Sequence, residues 1–308
     1  MGKLKTMLNL IKNDRDGLKN ILASKLAKSK IARIIPDKLY LKIQYRLRMG
    51  KKLNLKSPKS FNEKLQWLKL YDRKPEYSRY VDKYDVKEVV ADRLGSEYII
   101  STIGVWDSVD EIDFDALPNE FVLKCTHDSG SVVICRDKST FDFDSAKEKL
   151  RKKLKTNLFW QGREWPYKNV RPRIIVEQYL SELSDDKLID YKFFCFNGEP
   201  RYLYISQGLD DHETARISYA FLDWQMAPFR RTDFACFDVL PSKPVNFDTM
   251  IEMSRTLSKD IPFLRVDFYN LNGKIYFGEM TFFPGAGYTR FKPDEWDEKV
   301  GGFLDLPL

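Results

Sequence analysis

Hydrophobic positions change period along this 308-residue chain. Near the start, Leu4, Met7, Leu8 and Ile11 recur at helical spacing, as do Leu18, Ile21, Leu22 and Leu26, with lysines between them. That pattern predicts short amphipathic helices over residues 1–49. In "SPKSFNEKLQWLKLYDR", Ser60 followed by Glu63 forms a capping-box pattern. A helix should start there, bury Leu65, Trp67 and Leu68, and finish before Pro75. A second helix is expected from Asp82 to Leu94.

Beyond residue 98 the period shortens toward two. "YIISTIGVW" and "FVLKC" read as strands separated by an acidic loop ending at Pro118. "THDSGSVVICRD" then gives a small-residue loop and a returning strand, and 142–158 a charged helix. "RIIVEQYL" and "YKFFCFNGEPRYLYISQ" are further strands, the latter turning at Asn197-Gly198. Residues 216–239 continue the β pattern, 246–259 form a helix, and "FLRVDFYNLNGKIYFGEMTF" (263–282) is a hairpin. The class is α+β, with much antiparallel sheet in the C-terminal half.

Composition narrows the function. With 43% hydrophobic and 14% aromatic residues the chain is globular, and its length suggests about two domains. No stretch approaches the ~20 apolar residues of a membrane span, and the first thirty residues carry no secretory h-region. Cys125, Cys135, Cys195 and Cys236 stand singly, which points to reduced thiols in a cytoplasmic protein rather than a disulfide framework or zinc site. Two histidines leave little room for a Ser-His-Asp triad or a multi-histidine metal centre. The net charge of +7 is uneven, because residues 1–59 hold seventeen Lys/Arg against three Asp. Such a basic arm suits an anionic membrane surface, or else packs on the body with solvated lysines. No nucleic-acid module accompanies the charge, so no nucleic acid is expected as a partner.

Two places carry candidate chemistry. Lys124 ends a strand and precedes Thr126, Ser129, Gly130 and Ser131, so backbone N–H groups and an ammonium can approach a phosphate there. A plain hairpin turn reads the same way. In the final hairpin, Arg265 and Asp267 share one strand face, as do Glu279 and Thr281. A two-residue turn at Asn272-Gly273 pairs Asp267 with Gly278 and sends Glu279 to the opposite face. A three-residue loop, Leu271-Asn272-Gly273, pairs Asp267 with Phe277 and brings all four polar side chains together. The three-residue loop is the expectation. Two converging carboxylates suit Mg²⁺, and a simple Arg–Asp–Glu salt-bridge cluster is the competing reading.

The order of pieces resembles the ATP-grasp superfamily: a lysine before a small-residue loop, an E-x-Y-L hinge, R-x-D, then E-x-T-x-x-P-G. "FNEKLQWLKLYDR", "DKYDVKE", "LPNEFVLKCTHDSG" and "GEMTFFPGAGY" are similar to its TupA-like branch, associated with teichuronopeptide and capsular polysaccharide biosynthesis. The resemblance runs from about residue 58 to the C-terminus. It implies an ATP-grasp fold with ATP between two α+β subdomains, preceded by a basic helical segment. The corresponding division is an arm over 1–57, a helical and α/β region over 58–120, a small subdomain with the phosphate loop over 121–182, and a metal-bearing subdomain over 183–308.

By the same resemblance, Lys83 and Lys124 bind phosphates, and the loop carrying His127, Ser129, Gly130 and Ser131 covers the triphosphate. Glu177, Gln178, Tyr179 and Leu180 face adenine, and Asp190 matches the ribose-binding acid. Lys192 is a further phosphate contact with a catalytic role. Asp267 and Glu279 hold Mg²⁺, Thr281 stands where many members have a metal-ligating asparagine, and Arg265 stabilises the transferred phosphoryl group. Apart from the resemblance, Tyr288 and Arg290 of "FFPGAGYTRF", next to the strand that bears Glu279 and Thr281, are candidate acceptor contacts. The implied activity is ligation of a carboxylate to an amine through an acyl-phosphate. The partners would be a uronic-acid-containing glycan or sugar nucleotide and an amino acid or amine. The alternatives are a kinase acting on a glycan hydroxyl and a glycosyltransferase-associated membrane scaffold.

Overall fold

The computed structural model describes residues 15–180, 189–208 and 214–307, so the helix expected around Leu4–Ile11 lies outside the described residues. The arm continues as helices α1 (Arg15–Lys28) and α2 (Asp37–Met49). It packs on the body: Ala32, Tyr40, Leu41, Tyr45 and Leu53 form a small core with Leu70 and Tyr288. Helix α3 (Phe61–Tyr71) has the expected capping box, with Ser60 Oγ accepting from Glu63 N at 3.3 Å and Glu63 accepting from Ser60 N at 3.4 Å. Leu65 and Leu68 are buried as expected, and Trp67 is half-buried against Tyr71.

The helix expected over 82–94 is α5 (Asp85–Leu94), starting three residues late, and a short helix not expected from the sequence, α4 (Tyr77–Val81), precedes it. Asp82 makes the break, because its Oδ1 accepts from the N–H groups of Tyr84 (2.8 Å) and Asp85 (3.1 Å). Arg173 then clamps both Asp82 and Asp85 at 2.9 and 2.8 Å. This turn holds Lys83 apart from either helix.

Strands β1 (Thr102–Trp106), β2 (Phe121–Cys125) and β3 (Val133–Cys135) precede α6 (Phe143–Leu154) and α7 (Leu158–Gly162). With β4 (Ile174–Gln178) the three strands form an antiparallel sheet in the order β1-β4-β2-β3. Leu123, Cys125, Ile174 and Val176 pack on one side of it with Leu150 of α6. Alternation sends Lys124 and Glu177 to the other side.

The second sheet joins β5 (Ile189–Phe196), β6 (Glu199–Gln207) and β7 (Arg216–Phe221). Short β8 (Arg230–Arg231) follows, and most of 222–239 is loop rather than continued strand. Helix α8 (Phe247–Ser258) leads to β9 (Phe263–Leu271) and β10 (Lys274–Thr281), then β11 (Phe291–Lys292) and α9 (Trp296–Gly301). The sheet order is β10-β9-β5-β6-β7. Its rear face packs on α8, with Phe193 5.6 Å from Phe247. Its front face carries Asp190, Lys192, Arg265 and Asp267, which are buried.

The hairpin corrects the expected loop. Lys274 pairs with Leu271, so the turn is the two-residue Asn272-Gly273, with φ of 50° and 82°. Asn-Gly accommodates both left-handed positions, and the resulting turn matches the strand twist. The carboxylates converge nonetheless, because a bulge at Gly278 inserts one residue. Phe277 lies opposite Phe268, Glu279 opposite Asp267, and Thr281 opposite Arg265.

Candidate functional site

The two sheets face each other across a cavity of about 420 Å³. Lys83, Lys87, Lys124 and Lys192 line it, together with Glu177, Asp190 and Glu279. Its apolar wall includes Ile99, Ile100, Tyr269 and Phe277, and Gly278 completes the lining. A Cβ on Gly278 would lie 3.1 Å from Asp267 O, so the bulge and the close strand approach both favour glycine there. A larger cavity of about 590 Å³ at the β7 edge is mainly apolar, and none of these lysines reaches it.

Each charged group has a partner. Lys124 Nζ lies 2.6 Å from Glu177 Oε2, and Lys87 pairs with Glu177 Oε1. Burial disfavours the Glu177 carboxylate, but the two lysines outweigh it and hold its pKa below the ordinary value. Lys83 donates to Asp128 O, while its own N–H bonds Thr126 O at 3.1 Å. Burial pushes the Lys83 ammonium down, against the pull of Glu279 and Asp128.

On the second sheet, Lys192 Nζ lies 2.8 Å from Asp267 Oδ2 and 3.3 Å from Asp190 Oδ1. Arg265 grips Asp267 with two donors, Nε to Oδ1 and Nη2 to Oδ2, both at 2.7 Å, and also reaches Glu279 Oε1 at 2.6 Å. Thr281 Oγ1 donates to that same Glu279 oxygen at 3.1 Å. Burial raises the carboxyls of both acids. For Glu279, however, Arg265, Lys192 and Lys83 reverse the effect and hold the pKa at about 2. For Asp267 burial leaves the net direction upward, against Arg265 and Lys192. The Lys192 ammonium is also disfavoured by burial, but Asp267 and Asp190 more than compensate.

The residues expected to form a phosphate loop divide by position. Ser131 Oγ donates to Asp128 Oδ1 at 2.5 Å and accepts from Cys125 N at 2.8 Å, tying the loop's two ends. Ser129 and Gly130 are exposed at its tip, Gly130 with φ of 78°. His127 is buried beneath, where burial pushes its imidazole down and keeps it neutral at pH 7. On β4, Gln178 is exposed and its N–H is taken by Ser101 O at 3.0 Å. Tyr179 OH accepts from Arg136 Nε at 3.0 Å, and Leu180 is half-buried.

Tyr288 and Arg290 are not brought to this cavity. Tyr288 faces the arm, its ring 5.4 Å from the Arg48 guanidinium and 5.1 Å from Lys69 Nζ. Arg290 Nη2 donates to Arg48 O at 2.7 Å and lines a separate cavity of about 230 Å³ with Lys51 and Thr232. Sequence reading missed Lys87, Tyr269 and Gly278. Lys87 follows Lys83 by one helical turn of spacing, and the Gly inside a strand pattern was a bulge signal.

The residues suit a divalent cation beside a polyanion. Asp267, Glu279 and Thr281 are hard oxygen donors on adjacent strands, and Glu279 lines the cavity that four lysines ring. The two acids differ in access: Asp267 is 2% exposed, whereas the Glu279 side chain is 46% exposed.

A model of TupA-like ATP-grasp proteins matches residues 63–305. No curated protein matches the chain. Among solved structures, a D-alanine–D-alanine ligase from Bacillus anthracis complexed with ATP is similar at 16% identity and a TM-score of 0.40, covering 66% of this chain and 55% of that one. The corresponding enzyme from Helicobacter pylori gives 12%, 0.39, 80% and 69%. The ADP complex of N5-carboxyaminoimidazole ribonucleotide synthetase gives 12%, 0.42, 71% and 50%. The chain thus spans little more than half the length of the first of these structures. The fold is α+β of the ATP-grasp type, whose enzymes use ATP and Mg²⁺ and are generally ligases. On the match across residues 63–305, the chain belongs to the TupA-like ATP-grasp family.

Proposed function

We propose that the protein is an ATP-dependent ligase that joins a carboxylate to an amine through an acyl-phosphate. One observation carries the reading: Lys83, Lys87 and Lys124 converge on a cavity whose opposite wall holds Lys192 and Glu279, backed by Asp267 and Arg265. That arrangement receives a triphosphate and stabilises charge during phosphoryl transfer, and it requires no histidine base. Lys83, Lys124 and Lys192 bind phosphate oxygens, with Ser129, Gly130 and Ser131 closing over them. Glu177 holds Lys124 and Lys87 in place, Gln178, Tyr179 and Leu180 border the adenine, and Asp190 takes the ribose. Asp267, Glu279 and Thr281 would hold Mg²⁺, which when bound neutralises charge on the phosphates. Arg265 stabilises the phosphoryl group and then the acyl-phosphate.

The acceptor carboxylate belongs to a uronic acid of a surface polysaccharide or its sugar nucleotide, and the amine to an amino acid or amino sugar. We place the protein in the cytoplasm, at the inner face of the membrane where such a glycan is assembled. The test is nucleotide product analysis with Mg²⁺-ATP and a panel of uronic acids and amino acids. ADP and phosphate should appear only when both a carboxylate and an amine are present, and Glu279→Ala should abolish them. ADP together with a stable phosphorylated hydroxyl would make the protein a kinase.

A further inference from the structure

The corner between α1 and α2 exposes large apolar side chains in a wholly cationic setting. Ile31 is 62% exposed and Ile34 81%, and Leu39 beside them is also exposed. Lys28, Lys30, Arg33 and Lys38 are all exposed around these two isoleucines. Asp37 is the sole acid between residues 17 and 59, and it turns inward to Arg73 (2.8 Å) and Arg163 (2.7 Å). Among the described residues 17–59, no other carboxylate offsets the charge of this surface.

The exposure is built in by the surrounding contacts. The turn Lys30–Arg33 is capped by Ser29, whose Oγ accepts from Ile31 N at 3.1 Å. Fully buried Arg163 donates to Ala32 O and to Ile35 O at 3.2 Å, and stacks 4.1 Å from the Tyr40 ring. Tyr40 OH in turn donates to Gln161 O at 2.6 Å. The backbone on either side of Ile31 and Ile34 is thus pinned to the body while the two side chains project outward. Next to them is a concavity of about 190 Å³ lined by Lys28, Lys30, Arg33, Lys155 and Trp160.

We propose that this corner is an interfacial anchor for an anionic lipid bilayer. Ile31 and Ile34 enter the boundary between headgroups and acyl chains, and the basic ring, with the concavity, receives lipid phosphates. Nucleic acid presents phosphates without an apolar layer, and the two isoleucines would find no partner on it. The anchor adjoins the nucleotide cleft, since the segment that supplies Lys155 also supplies Lys153, whose Nζ donates to Ser129 O of the phosphate loop at 3.1 Å. The inference deepens the membrane placement proposed above but does not depend on ligation, because binding is read without turnover.

The test is co-sedimentation of the full chain with vesicles of phosphatidylglycerol and phosphatidylcholine, and with phosphatidylcholine alone. The protein should bind the anionic vesicles and leave the neutral ones in the supernatant. I31S/I34S should weaken binding by about tenfold or more through lost apolar insertion. K28Q/K30Q/R33Q should weaken it by about a hundredfold, at about fivefold per charge. All substituted positions are exposed, so the melting temperature should not move, and this separates lost anchoring from lost folding. Equal binding to neutral vesicles, or binding unchanged by I31S/I34S, would overturn the proposal. Heparin retention that K28Q/K30Q/R33Q removes and I31S/I34S leaves intact, without vesicle binding, would assign the surface to a polyanion instead.

Discussion

Removing the charge of Asp267 is the sharpest probe of the buried network. Asp267 is 2% exposed and accepts three charge-assisted hydrogen bonds, two from Arg265 at 2.7 Å and one from Lys192 at 2.8 Å. Asp267→Asn keeps the shape but leaves two buried cations short of a counter-ion and aims an amide donor at one of them. Breaking a buried pair costs ~3–5 kcal/mol. Lys192 retains Asp190 at 3.3 Å and Arg265 retains Glu279 at 2.6 Å, which brings the expected loss to about 3 kcal/mol.

Lys192→Met removes the other side and should cost about 2 kcal/mol, because the Arg265 fork still neutralises Asp267. At 2.8 Å and an effective dielectric of about 20, the attraction between Lys192 and Asp267 is roughly 6 kcal/mol before desolvation offsets most of it. The double variant should therefore fall about 2 kcal/mol short of the sum of the singles. Urea unfolding, followed by circular dichroism and tryptophan fluorescence together, measures this. Additivity within about 0.5 kcal/mol would refute the claim that the two groups act as one charged unit.

On the proposed reading Lys124 contacts a phosphate, so Lys124→Ala should weaken Mg²⁺-ADP binding about tenfold or more by calorimetry. Gly278→Val crowds Asp267 O and opposes the bulge, so it should reduce nucleotide binding. Gly273→Ala at the exposed turn should cost about 1 kcal/mol of stability and leave binding alone. His127 has its pKa lowered by burial, so the unfolded chain takes up its proton first as pH falls below about 6.5. That contribution to stability is present above this pH and is lost as pH falls further. Thermal melts from pH 7 to pH 5 should therefore drop more steeply for the native chain than for His127→Asn.

Local signals in the sequence carried far. The Ser60–Glu63 capping box, the strands β4, β5 and β9, and the Asn197-Gly198 turn all rest on near neighbours, and each appears where expected. Register is different, because it sums everything between two residues. Convergence of Asp267 and Glu279 needs one extra residue, and loop length and bulge supply it equally well. The Asn-Gly pair favoured the short turn, and Gly278 inside "YFGEMT" marked the bulge.

Lys87 escaped notice because it lies on α5 while its partner, Glu177, is ninety residues away on β4. Nearness along the chain to Glu279 and Thr281 suggests that Tyr288 and Arg290 join the same site. The turn at Gly285 and Ala286, both at positive φ, redirects the chain toward the arm instead. Nothing in periodicity showed that Arg163 would be buried under the arm. Its role depends on contacts made across more than a hundred residues.

The most direct test of the account follows oxygen from the acceptor. A carboxylate substrate found by the product panel is labelled with heavy oxygen and turned over with Mg²⁺-ATP and the amine, and the released phosphate is analysed by mass. An acyl-phosphate route carries one labelled oxygen from the carboxylate into phosphate, and Glu279→Ala should show neither turnover nor transfer. Turnover that leaves all label in the product, with the γ-phosphoryl group on a hydroxyl, would contradict the ligase reading.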